Sequence, residues 1–354
     1  MITVRASMLR FGLLVLTSWP LLFNGTCRTD SATPQPIGPS NSVQPASAYQ
    51  PPIWYDSSTI EVLQGYTVHN VAENRRLPIL VRFSRAVTQP RPVVVWSHGG
   101  GPRNTVGPDM NREWSEVLAR AGYIVVHPAH VEPDRLALCR KLGISNIQTC
   151  LRLNAMTWYR PSDARAVLDA LPQIVAAFPQ LRGRVDLTRV AYAGHSFGAF
   201  TAMTIAGARV NYVEGYNDIS WRHPLPRAFL ALSPQGPGRF GFFDDSWREV
   251  DRPVMTASGA GDNLLGETAA NRREPFKRMP PGNKYELWIE SRDAVHSTFN
   301  LSDSGPGRCF HDEIAMAGVA FLDAYLSDYE PAKVWLTSGS VESRTGGIVT
   351  IAAK

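Results

Sequence analysis

From about position 54 onward the chain alternates two patterns of apolar residues. Short, nearly unbroken apolar runs occur at residues 92–96 (PVVVW), 123–127 (YIVVH), 190–193 (VAYA), 228–232 (AFLAL), 254–257 (VMTA) and 285–289 (YELWI). Runs of that length and density are what strands buried on both faces require. Between them lie longer stretches, at 111–121, 160–177, 197–208 and 312–326, that read as helices. In the second of these, Val167, Leu168 and Leu171 share one face and Ser162 stands at the N-cap. Residues 65–71 and 77–83 read as a leading antiparallel pair. Strand–helix alternation over this length predicts a mostly parallel central sheet with helices on both faces. The ligand site of such a sheet lies beyond the C-terminal ends of its strands.

The first 53 residues break this pattern. Arg5 and Arg10 precede an apolar run at 11–23 that Pro20 interrupts. It is shorter than the roughly 20 residues of a membrane span and reads as a secretory signal over residues 1–26. Residues 27–53 are rich in Pro, Ser, Gln and Ala, bury too little apolar surface to offset the entropy of ordering, and read as a linker. Residues 54–354 are then one folded domain of an exported protein, periplasmic or secreted. Asn24, Gly25, Thr26 and Cys27 resemble a lipoprotein processing site, so Cys27 is a candidate membrane tether, with simple cleavage nearby as the competing reading.

Composition narrows the classes. With 44% hydrophobic and 10% aromatic residues the chain is neither disordered nor collagenous nor a coiled coil. The net charge of +5 is spread without Lys/Arg runs, which speaks against a nucleic-acid partner. Of Cys27, Cys139, Cys150 and Cys309, the pair Cys139–Cys150 is closest in sequence and is the preferred disulfide, leaving Cys309 free or joined to Cys27. No spacing of Cys and His points to a metal. The sequence does not set the oligomeric state.

The strongest chemical signal is Gly194-His195-Ser196-Phe197-Gly198, directly between the strand VAYA and a helix of small residues. In that context GxSxG is a nucleophile elbow, a sharp turn that lifts the serine hydroxyl above the sheet. A serine needs a base, and the base needs an orienting acid. Downstream histidines are His223, His296 and His311. His296 follows the last predicted strand and is the favoured base; His223 reads as structural and His311 as a helix-opening surface or capping residue. Asp262 ends a Gly-rich turn after residues 254–257 and is the favoured acid over Asp244, Asp245 and Asp293. For the oxyanion, one donor is the Phe197 N–H and the second is Gly100 in His98-Gly99-Gly100-Gly101, with Gly99 close behind. The plain alternatives are Gly-rich turns and an Asp that only caps a helix.

Together WSHGGG, RPSDARAVLDAL, AYAGHSFGAF, MTASGAGD and DAVHSTF resemble the α/β-hydrolase superfamily. Within it the chain is most similar, over about residues 55–336, to proteins labelled predicted dienelactone hydrolases, relatives of platelet-activating-factor acetylhydrolases and bacterial polyester hydrolases. The resemblance implies an α/β-hydrolase fold with Ser196 as nucleophile, Asp262 as acid, His296 as base and the Gly100 and Phe197 amides as oxyanion hole. True dienelactone hydrolases use Cys where this chain has Ser196, so the implied substrate is a small ester rather than the lactone of the label. No cofactor is expected. Residues 234–253 are too few and too rich in Pro and Gly for a large cap, so the pocket is expected to be shallow, with 128–159 as one wall and short acyl chains favoured. An acyltransferase or amidase with the same three residues is the alternative enzyme, and a non-catalytic binding protein on this fold is the alternative class. Trp96, Trp158 and Trp288 read as core, and Asp163 and Arg165 as members of structural ion pairs.

Overall fold

Alternation along one strand shows why the central runs are apolar throughout. In Arg91–Ser97, Val93 and Val95 enter one hydrophobic core while Val94 and Trp96 enter another on the opposite face. Neither side of that strand meets water, so neither side is polar. The computed structural model describes residues 49–52, 59–100, 109–130, 135–144, 146, 155–213 and 215–354, all within one compact unit. The signal expected over residues 1–26, most of the expected linker, Gly101, Cys27 and Cys150 lie outside the described residues.

The strands are β1 (Ile60–Asn70), β2 (Arg75–Ser84), β3 (Arg91–Ser97), β4 (Ile124–Pro128), β5 (Val185–His195), β6 (Pro226–Leu232), β7 (Val254–Gly259), β8 (Lys284–Ile289) and β9 (Val349–Ala353). They form one sheet in the order β1-β2-β4-β3-β5-β6-β7-β8-β9. Strands β4, β3, β5, β6, β7 and β8 run parallel, and β1, β2 and β9 close the edges antiparallel. The helices are α1 (Arg112–Arg120), α2 (Arg135–Lys141), α3 (Ala155–Asp169), α4 (Leu171–Ala177), α5 (Phe197–Ala206), α6 (Ala269–Arg272), α7 (Glu274–Arg278), α8 (His311–Leu326), α9 (Glu330–Thr337) and α10 (Ser340–Thr345). One core lies between the sheet and α1, α8 and α9; the other lies under α3, α4 and α5. Residues 234–253 form turns and bends rather than a cap.

One predicted helix needs correction. The stretch 160–177 divides into α3, which starts upstream at Ala155, and α4. Ser162 is therefore inside α3 and caps nothing; its Oγ accepts a hydrogen bond from Asn70 Nδ2 at 3.1 Å. Pro161 sits within α3. It has no N–H for the carbonyl of Thr157 four residues back, and the Tyr212 hydroxyl donates to that carbonyl instead at 2.8 Å. Arg165 is also corrected: it donates to the carbonyls of Arg222 and Trp221 and makes no ion pair among the described residues. Asp163 does pair, with Arg75. Trp96 and Trp288 are buried as expected, whereas Trp158 is half-exposed among Tyr212, Tyr216 and Trp221.

Candidate active site

Ser196 stands between β5 and α5 with φ +56° and ψ −115°. That combination is sparsely populated by residues with a side chain, and it persists because the surroundings fix it. The Ser196 N–H donates to the Leu232 carbonyl at 2.8 Å, which ties the turn to the end of β6. At Gly198 a Cβ would lie 1.9 Å from the carbonyl oxygen of Ser97, so only glycine lets α5 start this close to β3.

Asp262 follows β7 and is fully buried. Its Oδ1 accepts from His296 Nδ1 at 2.8 Å and meets Arg272 Nε at 2.9 Å. Its Oδ2 accepts from Ser233 Oγ at 2.5 Å and Ser258 Oγ at 2.9 Å. Burial pushes this carboxyl up, but the His296 hydrogen bond, the Arg272 guanidinium and Ser233 outweigh it and hold Asp262 below the usual carboxylate range. An ionised Asp262 accepting at Nδ1 places the histidine proton there and leaves Nε2 with a free lone pair. Gly261 makes this approach possible, since a Cβ on it would lie 2.1 Å from the Arg292 carbonyl oxygen in the loop that carries the histidine.

His195, the variable residue of the elbow before Ser196, donates from Nε2 to the His296 carbonyl at 3.0 Å and so links the elbow to the histidine loop. Among the described residues no hydrogen bond joins Ser196 Oγ to His296. Such bonds often tighten only when substrate is bound. The competing candidates are placed elsewhere. His223 meets Asp169 at 3.0 Å, Asp244 pairs with Arg278, Asp245 and Asp293 are exposed, and His311 opens α8 with its Nε2 buried and without a hydrogen-bond partner among the described residues.

The turn after β3 packs on the elbow. The Gly99 N–H is taken by Asn111 Oδ1 at 2.9 Å, whereas the Gly100 and Phe197 amides have no partner among the described residues. Of the three amides read from the sequence, Gly99 is thus engaged. Arg160, on α3 and 1% exposed, donates to the carbonyls of His98 at 2.6 Å and Gly99 at 2.9 Å. Behind the turn lies a buried polar cluster. Ser97 Oγ bonds both His130 Nε2 at 2.8 Å and Tyr192 Oη at 2.6 Å, and Asp163 meets His130 and both nitrogens of the Arg75 fork.

Sequence reasoning missed Arg272, Ser233, Ser258, Asn111 and Arg160. Ser233 and Ser258 were within reach: β6 and β7 pair Leu232 with Ala257, so the next residues of both strands flank the acid. Arg272 and Asn111 come from segments whose approach depends on tertiary packing. A cleft of about 730 Å³ lies apart from these residues, lined among others by Tyr66, Asn70, Glu73, Trp158, Arg165 and Trp221.

No family model matches the chain. Over 167 residues it is 25% identical to a bis(hydroxyethyl) terephthalate hydrolase of Streptomyces coelicolor, which covers 47% of this chain and 44% of that protein. Over 169 residues it is 22% identical to a cutinase of Thermobifida alba, covering 48% of this chain and 46% of that protein. The chain thus spans under half the length of either relative. The mostly parallel sheet order with its strained serine turn agrees with that likeness: the chain has an α/β-hydrolase fold.

Proposed function

We propose that this protein is an exported serine hydrolase that cleaves carboxylic esters through an acyl-enzyme intermediate. The observation that carries this reading is the His296–Asp262 hydrogen bond at 2.8 Å on the loops beside the Ser196 elbow. Ser196 Oγ attacks the ester carbonyl carbon and its proton passes to His296 Nε2, while the carbonyl electron pair becomes an oxyanion held by the Gly100 and Phe197 amides. The tetrahedral species collapses, the C–O bond to the alcohol breaks, and His296 returns the proton to the departing alkoxide. Water then repeats the sequence on the acyl-enzyme and frees the acid and Ser196. Asp262 keeps His296 in the tautomer that can accept at Nε2 and balances the imidazolium as it forms.

Export is supported by Cys139 and Cys309, both disulfide-bonded, which suits an oxidising compartment. The Cys139–Cys150 pairing involves a residue outside the described ones and stays part of this proposal. A shallow pocket is supported by the turns that fill 234–253 in place of a cap. Each buried CH₂ contributes about 0.8 kcal/mol, so a pocket that covers few methylenes favours acetyl to roughly hexanoyl esters. The test is labelling with a fluorophosphonate followed by kcat/KM over p-nitrophenyl esters of rising chain length. Labelling lost in Ser196→Ala and a rate that falls beyond short acyl chains are expected. Absence of labelling, or zinc-dependent activity removed by EDTA, would overturn the reading, and a steady rise to palmitoyl esters would overturn the pocket model.

A further inference from the structure

Arg160 is an unusual residue for its place. It is 1% exposed, and among the described residues it makes no ion pair. A buried guanidinium without a carboxylate is expensive unless its donors are well used. Burial pulls Arg160 down to about 9, which still leaves it cationic at neutral pH. Its two terminal nitrogens go to consecutive main-chain carbonyls, His98 O at 2.6 Å and Gly99 O at 2.9 Å. Its guanidinium also lies over the Phe197 ring, 5.0 Å from the centroid. It therefore touches both stretches of chain that carry the unpartnered amides.

The geometry of the peptide unit gives this contact its consequence. The Gly99 carbonyl and the Gly100 N–H belong to one planar trans peptide and point to opposite edges of it. Whatever holds the carbonyl aims the N–H. Here two donors hold it: Arg160, and His98 Nδ1 at 2.7 Å. The His98 tautomer follows from its other nitrogen, because Nε2 accepts the His130 N–H at 3.2 Å and the ring proton is therefore on Nδ1. The preceding peptide is held in the same way, with its carbonyl on Arg160 and its N–H on Asn111 Oδ1. Two donors on one carbonyl also polarise the amide and strengthen the N–H as a donor.

Resting on the esterase reading above, we propose that Arg160 is a positioning residue for the oxyanion hole. It clamps the His98–Gly99 and Gly99–Gly100 peptides so that the Gly100 N–H is fixed, polarised and left free for the transition-state oxygen. Preorganisation of this kind acts on the transition state and leaves ground-state binding alone.

The experiment compares wild type with Arg160→Ala and Arg160→Lys, reading kcat, KM and the affinity of an alkyl boronic acid, whose tetrahedral adduct on Ser196 places an oxygen where the oxyanion forms. Arg160→Ala is expected to lower kcat and boronate affinity together, by roughly 10²-fold as for loss of one oxyanion donor, with KM within about threefold and partial restoration by added guanidinium. Arg160→Lys, which cannot reach two carbonyls with one planar fork, is expected to fall between the two. A folded Arg160→Ala that keeps wild-type kcat, or raises KM alone, overturns the inference. If the alanine variant does not fold, the lysine variant decides, and wild-type kcat and boronate affinity there overturn it equally. Should wild type hydrolyse no ester and take no fluorophosphonate label, it is the esterase reading that fails.

Discussion

At Asp262 four donors converge on one buried carboxylate, and this explains how a single residue can be both ionised and fully enclosed. Two serines, a histidine and a guanidinium supply what water otherwise would. Under the proposed function Ser196, Asp262 and His296 act as a unit, so Ser196→Ala and His296→Ala should each lower the proposed esterase kcat by on the order of 10⁴-fold or more. Asp262→Asn should cost somewhat less. A tenth of the rate surviving in Ser196→Ala would sink the assignment. Arg272 gives a separate test. It is 2% exposed, and its fork also holds the carbonyls of Ser233 and Pro234. Removing one partner of a buried pair costs about 3–5 kcal/mol, so Arg272→Met should lower the urea midpoint by a corresponding amount. A midpoint unchanged from wild type would show that the pair with Asp262 adds nothing to stability. The candidate residues were legible in the sequence because Ser196 and Asp262 follow strands in Gly-marked turns and His296 follows the last parallel strand. Arg272 was not, since its role is set only when α6 folds back over the ends of β6 and β7.

The elements divide the same way. The parallel strands were legible in sequence because burial on both faces leaves no polar positions in them, as Val93 to Trp96 illustrate. The edge strand β9 was not, because one of its faces meets solvent and its five residues alternate only weakly. The start of α3 was misplaced because Ser162 reads as an N-cap, while in the fold the helix continues upstream through Pro161 and Tyr212 replaces the hydrogen bond that the proline forfeits. That exchange is testable by a double-mutant cycle. Tyr212→Phe should cost about 1–2 kcal/mol by removing the hydroxyl that donates to the Thr157 carbonyl and accepts from Trp221 Nε1. In a Pro161→Ala background, where the restored N–H can reach that carbonyl, the same change should cost distinctly less. Equal costs in both backgrounds, measured by urea unfolding, would mean that the Tyr212 bond does not compensate for Pro161. At the elbow, Gly198→Ala has no such relief, with a Cβ placed 1.9 Å from the Ser97 carbonyl oxygen, and it should abolish folding or lower stability by several kcal/mol.

Over the whole molecule the buried histidines set a dependence on pH that no one site determines. Burial pulls His130 down to about 4, and it holds His98, His127 and His195 well below the usual histidine value for the same reason. The unfolded chain takes up these protons near pH 6.5, whereas the folded chain resists them until far lower pH. The unfolded state is thus the better proton acceptor across that interval, and acidification favours it. Stability should be complete above pH 6.5, fall steadily toward pH 4, and lose the Asp262 and Asp163 contributions only below that, as those depressed carboxylates protonate. Asp323, which burial pushes up, acts in the opposite sense just above its unfolded value and softens the lower end of the curve. Each buried histidine contributes up to about 1.4 kcal/mol per pH unit in its window, so several together are comparable with the ~5–15 kcal/mol that holds a typical domain folded. His127 isolates the effect, because neither of its ring nitrogens has a hydrogen-bond partner among the described residues and it is not one of the proposed catalytic residues. Replacing it by phenylalanine removes a buried polar ring and leaves no hydrogen-bond partner behind, which is near neutral when the shape is kept. His127→Phe should therefore match wild type within about 1 kcal/mol at pH 7.5 and exceed it at pH 5, with a shallower slope of urea midpoint against pH. Parallel slopes for the two proteins would show that His127 takes up its proton in the folded state as readily as in the unfolded one.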